Sequence, residues 1–340
     1  MKNKTVIKTL LAVSVVSILV SAVSYAEEIT IQADKQTYDG KTTTFEGNVD
    51  VDYIDINVKS PRVVIKSNSE GQTETATFLD GAKAVKERDE KRNEVKANII
   101  NLSLLNNRIK AQGDSESDLF EGKNHIVNIK ADMQEFDIEN NIIVATKDVL
   151  IKYGEIDTVS DKARITIDED GELEKVELLG KATVNQKKSI INADDIVYNP
   201  VTSEMVAMGN VFSKTFLEDG TPVDIYSDFQ QYDEKTQTLI TSGNVKIDYK
   251  EYIASGPKAT FIPDETANTG KPNKIVFLGR SVINEGDRHI EADRIEITIE
   301  PQNFIAVGNV KTKFTQVKSY KGSKKESKKN KDSADNEDRI

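Results

Sequence analysis

The sequence predicts an all-β protein assembled from stacked hairpin repeats, and three observations carry that prediction. A short phrase recurs as Gly47-Asn48-Val49, Gly209-Asn210-Val211, Gly243-Asn244-Val245 and Gly308-Asn309-Val310. Alternating apolar and mostly charged residues follow it, and turn-forming residues precede it.

The recurrence sets the architecture. Copies open with Ala-Asp or Ser-Asp at Asp34, Asp194, Asp228 and Asp293, and Tyr38, Tyr198, Tyr232 or Ile297 follows four residues later. The distance from Asp to Gly is fifteen residues in the last three copies and thirteen in the first. Weaker copies lead from Asp132 and Phe136 to Lys147-Asp148-Val149, and from Asn98 to Gly113. Three more start at Ser60-Pro61, Ser160-Asp161 and Ser255-Gly256, and run to Phe78-Leu79-Asp80, Leu178-Leu179-Gly180 and Phe277-Leu278-Gly279. The nine starts, at 34, 61, 98, 132, 161, 194, 228, 256 and 293, are 27 to 37 residues apart. Repetition on this scale means stacked units whose fold carries the function. Each unit has room for two or three short strands and no long helix.

Periodicity assigns the faces. Val49, Val51 and Tyr53 alternate with aspartates; Val149, Ile151 and Tyr153, then Val245, Ile247 and Tyr249, then Val310 and Phe314 repeat the pattern. One face of each strand is therefore buried and the other wet, and these eleven residues are the candidate interior face. Val211-Phe212-Ser213 breaks the pattern, and the apolar parity flips between Tyr53 and Ile54, which predicts a bulge or bend there. Tyr38-Asp39-Gly40-Lys41, Tyr198-Asn199-Pro200 and Tyr232-Asp233-Glu234-Lys235 supply turns between paired strands. The repeated glycines suit a positive φ or a close approach of backbones. The repeated aspartates suit a hydrogen bond to a turn or edge; a calcium-binding ladder needs a nonapeptide period, less than a third of the one found.

Lys2, Lys4 and Lys8 precede an apolar stretch from Leu10 to Val23 that ends at Ser24-Tyr25-Ala26. This predicts a secretory signal peptide over 1–26, cleaved after Ala26, with an uncleaved inner-membrane anchor as the alternative. The absence of cysteine excludes disulfides, thiol catalysis, cysteine-zinc sites and a lipoprotein anchor. Residues 318–340 hold eight basic and five acidic residues with almost no apolar ones, which predicts a disordered lysine-rich tail. The net charge of −11 leaves about −17 on the body between leader and tail, unsuited to nucleic acid. The two histidines, His125 and His289, lie in strand-like runs without a nucleophile or metal-spaced partner, so neither a catalytic residue nor a metal or other cofactor is expected.

The segments ADKQTYDGKTTTFEGNVDV, ADDIVYNPVTSEMVAMGNVFS, SDFQQYDEKTQTLITSGNVKI and ADRIEITIEPQNFIAVGNVKT resemble the repeats of the OstA-like family. That family includes the periplasmic bridge protein LptA, its inner-membrane partner LptC and the N-terminal domain of the outer-membrane translocon LptD. The resemblance covers roughly residues 29 to 315. It implies an elongated, twisted antiparallel β-jellyroll, a periplasmic location and an apolar groove for the lipid A acyl chains of lipopolysaccharide. It also implies head-to-tail joining to LptC-like and LptD-like jellyroll domains or to further copies of itself. The body of 27–317 is longer than the usual bridge protein and accommodates one long jellyroll or two units meeting near residue 158. Periodicity alone favours a closed core, so the alternative function is a secreted structural or adhesive repeat protein without lipid cargo.

Overall fold

The structure, a computed structural model, describes residues 29–315 apart from 54–55, 69–72, 89, 104–105, 138, 169–172, 217–219, 264–271 and 300–301. The expected signal peptide and the expected disordered tail lie outside the described residues. The chain is all-β, an elongated β-jellyroll, and no helix occurs among the described residues. In chain order the strands are β1 (Ile29–Gln32), β2 (Lys35–Tyr38), β3 (Thr42–Tyr53), β4 (Ile56–Ser67), β5 (Thr73–Leu79), β6 (Ala82–Arg88) and β7 (Lys91–Ala97). Then come β8 (Ile99–Ser103), β9 (Arg108–Glu121), β10 (Asn124–Asp137), β11 (Ile142–Tyr153), β12 (Ile156–Ile167), β13 (Leu173–Gln186) and β14 (Ser189–Asn199). The last are β15 (Glu204–Phe216), β16 (Pro222–Asp233), β17 (Thr238–Tyr249), β18 (Tyr252–Pro263), β19 (Pro272–Glu285), β20 (Arg288–Thr298), β21 (Asn303–Val307) and β22 (Lys311–Phe314).

From β9 to β20 every strand pairs antiparallel with its chain neighbours. Four pairs of shorter strands are single strands broken in the middle: β1 and β2 both pair with β3, β5 and β6 with β4, β7 and β8 with β9, and β21 and β22 with β20. At about 4.8 Å per strand the meander is on the order of 80 Å long.

Each repeat is thus two long strands, each bent at its middle, rather than two or three short ones. The bend is what the Gly-Asn phrase encodes. Gly243 and Asn244 have φ of +73° and +49°, and there the register slips, with Ser242 facing Lys258 but Val245 facing Gly256. Two consecutive left-handed residues re-aim the strand, and only glycine adopts the first without cost. In β11 Lys147 and Asp148 take the same conformation at φ +68° and +53°, and Lys147 Nζ reaches Asp132 at 3.1 Å. Asp228 on the neighbouring strand explains the aspartate: its carboxylate accepts a hydrogen bond from Asn244 Nδ2 at 2.8 Å. Asp34 with Asn48, Asp194 with Asn210 and Asp293 with Asn309 repeat the bond at 2.9, 3.0 and 2.6 Å. The bends therefore form a ladder along the molecule, and the fifteen-residue distance is the path from one bend, around a hairpin, to the next.

The hairpin turns follow the expected chemistry. Asp39 Oδ1 accepts from the backbone N–H groups of Lys41 and Thr42, Asn199 Oδ1 from Val201 and Thr202, and Asp233 Oδ1 from Lys235 and Thr236. The parity flip after Tyr53 is one more hairpin, not a bulge. Tyr53 faces Ile56 across β3 and β4, so the strand reverses there and both strands keep their apolar residues on one face.

Both halves of a strand feed the same core: Ile143 before the bend of β11 and Ile151 after it belong to one apolar cluster. The meander is therefore folded along its ladder of bends into two arms facing each other. We call first arm the halves that run to hairpins such as Tyr153/Ile156, and second arm those that run to hairpins such as Asn199/Glu204. Where the arms converge, facing side chains are small: Ala145 opposes Ala163 and Ala182 opposes Ala193, all buried. The ladder runs through residue 158 without interruption. The buried apolar side chains instead part into two clusters between Val211 and Val223, although β15 and β16 stay fully paired across that point.

Candidate functional site

The space between the arms is the candidate site. Val49, Val51, Val149, Ile151, Val245, Ile247 and Tyr249 are buried on its walls, and Tyr153 is half-buried at its margin. The Tyr53 side chain lies outside the described residues. Val310 and Phe314 depart from the expected interior placement, being 52 % and 64 % exposed. Phe314 opposes Arg288, two residues from buried Ile290, so it shares the interior parity. However, among the described residues β22 is the last strand, and no further strand closes over it there. Periodicity reads the face of a strand, not whether a neighbour exists to cover it.

Within the first cluster the arms do not meet completely. A cavity of about 60 Å³ lies between Val127, Ile129, Ile151, Tyr153, Ile156, Thr158 and Val184 of the first arm and Ile165, Val176, Leu178, Ile196, Tyr198 and Met205 of the second. By the same measure one water needs roughly 10–15 Å³, so there is room for about four water-sized spheres. Eleven of these residues lay outside the candidate set. The candidate set follows the Gly-Asn phrase or its Lys147-Asp148 variant, and the second arm lies outside those segments although Ala163, Ile165 and Ile167 alternate as clearly. The Asp-plus-four tyrosine was the available signal, since Tyr198 is one of that series.

The lining carries no ionised group. Burial, with smaller contributions from the Glu234 carboxylate and Tyr153, pushes the Tyr198 hydroxyl up to about 12, so it stays neutral and donor-competent. Thr158 Oγ1 is buried and has no hydrogen-bond partner among the described residues. On the outer face Glu94 is held below the usual carboxylate range: burial opposes this, but Lys83 at 3.0 Å, Arg92 and Lys96 outweigh it. The histidines are structural neighbours of acids and amides: His125 stacks on Phe120 and meets Asp118 at 2.8 Å, while His289 meets Asn284 at 2.8 Å. Among the described residues no group of His, Asp and Glu could hold a metal ion.

The last described strand is tethered by charge. Glu291 of β20 faces Lys311 of β22, and its carboxylate binds Arg280 at 2.8 Å, His289 at 3.2 Å and Lys313 at 3.7 Å. Arg280 first, then His289, hold the Glu291 carboxyl down at about 2. A carboxyl depressed in the fold contributes stability above its ordinary value near 4.5, and that contribution is lost as pH falls from 4.5 towards 2. The β22 amides should therefore lose hydrogen-exchange protection between pH 5 and pH 2, after correction for intrinsic rates, and Glu291→Gln should show that loss already at pH 7. Protection of β22 that is flat across this range would show that the tether does not hold the strand.

Comparison with known proteins then bears on this geometry. The family model described as LptA/(LptD N-terminal domain) LPS transport protein matches residues 30–126 and 128–211, together more than half of the chain. The chain belongs to this family. Its family match stops at Val211, where the first apolar cluster also ends. The chain is also similar to the crystal structure of LptH from Pseudomonas aeruginosa, described as the LptA homologous periplasmic component of the conserved lipopolysaccharide transport device. Identity there is 18 %, over 35 % of this chain and 82 % of that one, with a TM-score of 0.31. No curated protein matches the chain in sequence.

Proposed function

We propose that this LPS-transport family member is a periplasmic carrier that holds the acyl chains of lipopolysaccharide between its two arms and bridges inner-membrane and outer-membrane jellyroll partners. The observation that carries the reading is the uncharged cavity between the arms, walled on both sides by aliphatic side chains. An apolar cavity of this kind gains nothing from water and accepts hydrocarbon. At ~0.8 kcal/mol per buried methylene, about four methylenes in a cavity of this size gain about 3 kcal/mol, and an acyl chain of about 12 carbons lying wholly between the arms would gain on the order of 10 kcal/mol, without any charged contact. Carriage needs burial, not bond-making, so we read the chain as a carrier and not as an enzyme. Native mass spectrometry of protein purified from a lipopolysaccharide-producing host should show bound glycolipid. Apoprotein alone, under conditions that preserve other lipid carriers, would instead support the closed structural or adhesive protein.

The ends of the meander support the bridging part of the proposal. β1 pairs only with β3, and β22 only with β20, so each leaves one row of backbone groups without a strand partner among the described residues. Such edges accept a further strand, and the two differ, which allows a head-to-tail contact that extends rather than closes. Ile31→Pro, or deletion of 311–314, should abolish concentration-dependent oligomers or docking to a jellyroll partner while leaving the β-rich circular dichroism intact. Light scattering and partner pull-down that are unchanged in both variants would remove the mechanical basis of a bridge.

A further inference from the structure

The two apolar clusters are built from equivalent strands. β10 to β12 and β16 to β18 are related by a constant step in the sequence that superposes Asp132 on Asp228, Val149 on Val245 and Tyr153 on Tyr249. The same order of strands then relates β13 to β15 with β19 to β22, placing Tyr198 at the position of Ile297 and Met205 at that of Phe304. Every position that lines the cavity in the first cluster therefore has a counterpart in the second.

Four of the counterparts are aromatic where the first cluster is not, while Tyr198 and Thr158 give way to the smaller Ile297 and Ala254. Ile156 and Ile165 of the cavity correspond to Tyr252 and Phe261, and Leu178 and Met205 correspond to Phe277 and Phe304. Phe277 is fully buried and Phe261 nearly so. Tyr252 stacks on Tyr249 at 6.5 Å from the same arm and meets Phe304 of the opposite arm edge-on at 6.2 Å. The turns beside these two residues are joined as well, Gln302 Nε2 donating to Glu251 Oε1 at 2.9 Å. The effect shows at one matched pair: Tyr153 is half-buried on the cavity wall, whereas Tyr249 is 2 % exposed.

We propose that cargo is confined to the first body, 29–216, and that the second body, 222–314, fills its own interior with aromatic side chains and is latched shut against lipid. The inference rests on the carrier reading above and narrows it: Val245, Ile247 and Tyr249 are then core rather than cargo contacts. The second body serves as a closed extension that sets the reach of the molecule, and the acyl chains stop at β15.

The two tyrosines provide the test, because p-azidophenylalanine is close to tyrosine in size. The full chain is produced in a lipopolysaccharide-producing host with the photoreactive residue at Tyr153 or at Tyr249, irradiated, and probed for covalently attached lipopolysaccharide. Capture at Tyr153 at least tenfold above that at Tyr249 is expected. Equal capture at both overturns the confinement while leaving the carrier reading intact; capture at neither overturns the carrier reading itself. A second measurement uses Tyr252→Ile with Phe261→Ile, Phe277→Leu and Phe304→Met, which restores the residues of the first cavity at the four positions where aromatics replace them. If that variant folds, capture at Tyr249 should rise towards the level at Tyr153, and a folded variant without such a rise counts against the latch. If it does not fold, the comparison of the two tyrosines in the otherwise unaltered chain decides.

Discussion

Gly243→Ala should lower the stability of the protein by about 3 kcal/mol. Gly243 sits at φ +73°, where a side chain costs roughly 1–2 kcal/mol. A Cβ there would also lie 2.7 Å from Asp228 Cβ and closer still to its carboxylate, which adds about 1–3 kcal/mol of overpacking. Against a typical total of about 5–15 kcal/mol this is a large share. Gly286→Ala separates the two contributions, because Gly286 has φ +56° but nothing within 4 Å of an added Cβ. Urea unfolding should therefore show the Gly286 variant about 1 kcal/mol below the parent and the Gly243 variant clearly lower. Equal losses would mean that contact with the repeated aspartate does not matter, and that the ladder of bends is set by backbone conformation alone.

Val184→Trp should abolish most lipid binding while the fold survives. Val184 is half-buried at the cavity, on the first arm opposite residues of the second. An indole there occupies the space into which an acyl chain would insert. Displacing about four methylenes costs about 3 kcal/mol of transfer free energy, or on the order of a hundredfold in affinity. The comparison is lipid bound per protein in native mass spectra of Val184→Trp and of the parent, with thermal unfolding as the check on folding. Undiminished loading in a folded variant would place the acyl chains elsewhere than this cavity.

Much of the fold was legible because its signals are local. Alternation after Gly-Asn, or after Lys147-Asp148 in its place, marks a strand with one buried face, and it placed Val49, Val51, Val149, Ile151, Val245, Ile247 and Tyr249 on the inside. Asp39, Asn199 and Asp233 marked their turns because each side chain caps backbone within three residues. Less of the site was legible. Ile165, Val176, Leu178 and Ile196 complete the cavity from the second arm, and each meets the first arm only because the sheet folds over at its bends.

By itself the sequence determined the all-β class, the repeat with its Asp and Gly-Asn pairs, the hairpin turns and the inward parity of the strands. Each of these depends on residues adjacent in the chain or facing one another across a single hairpin. Tertiary structure decided the rest. It showed that the repeated phrase is a bend within long strands, that Phe314 has the inward parity but, among the described residues, no further strand to bury it, and that the apolar interior divides between Val211 and Val223. Parity fixes the direction of a side chain, but the space left between two arms depends on the summed volumes of side chains that meet from strands far apart in sequence.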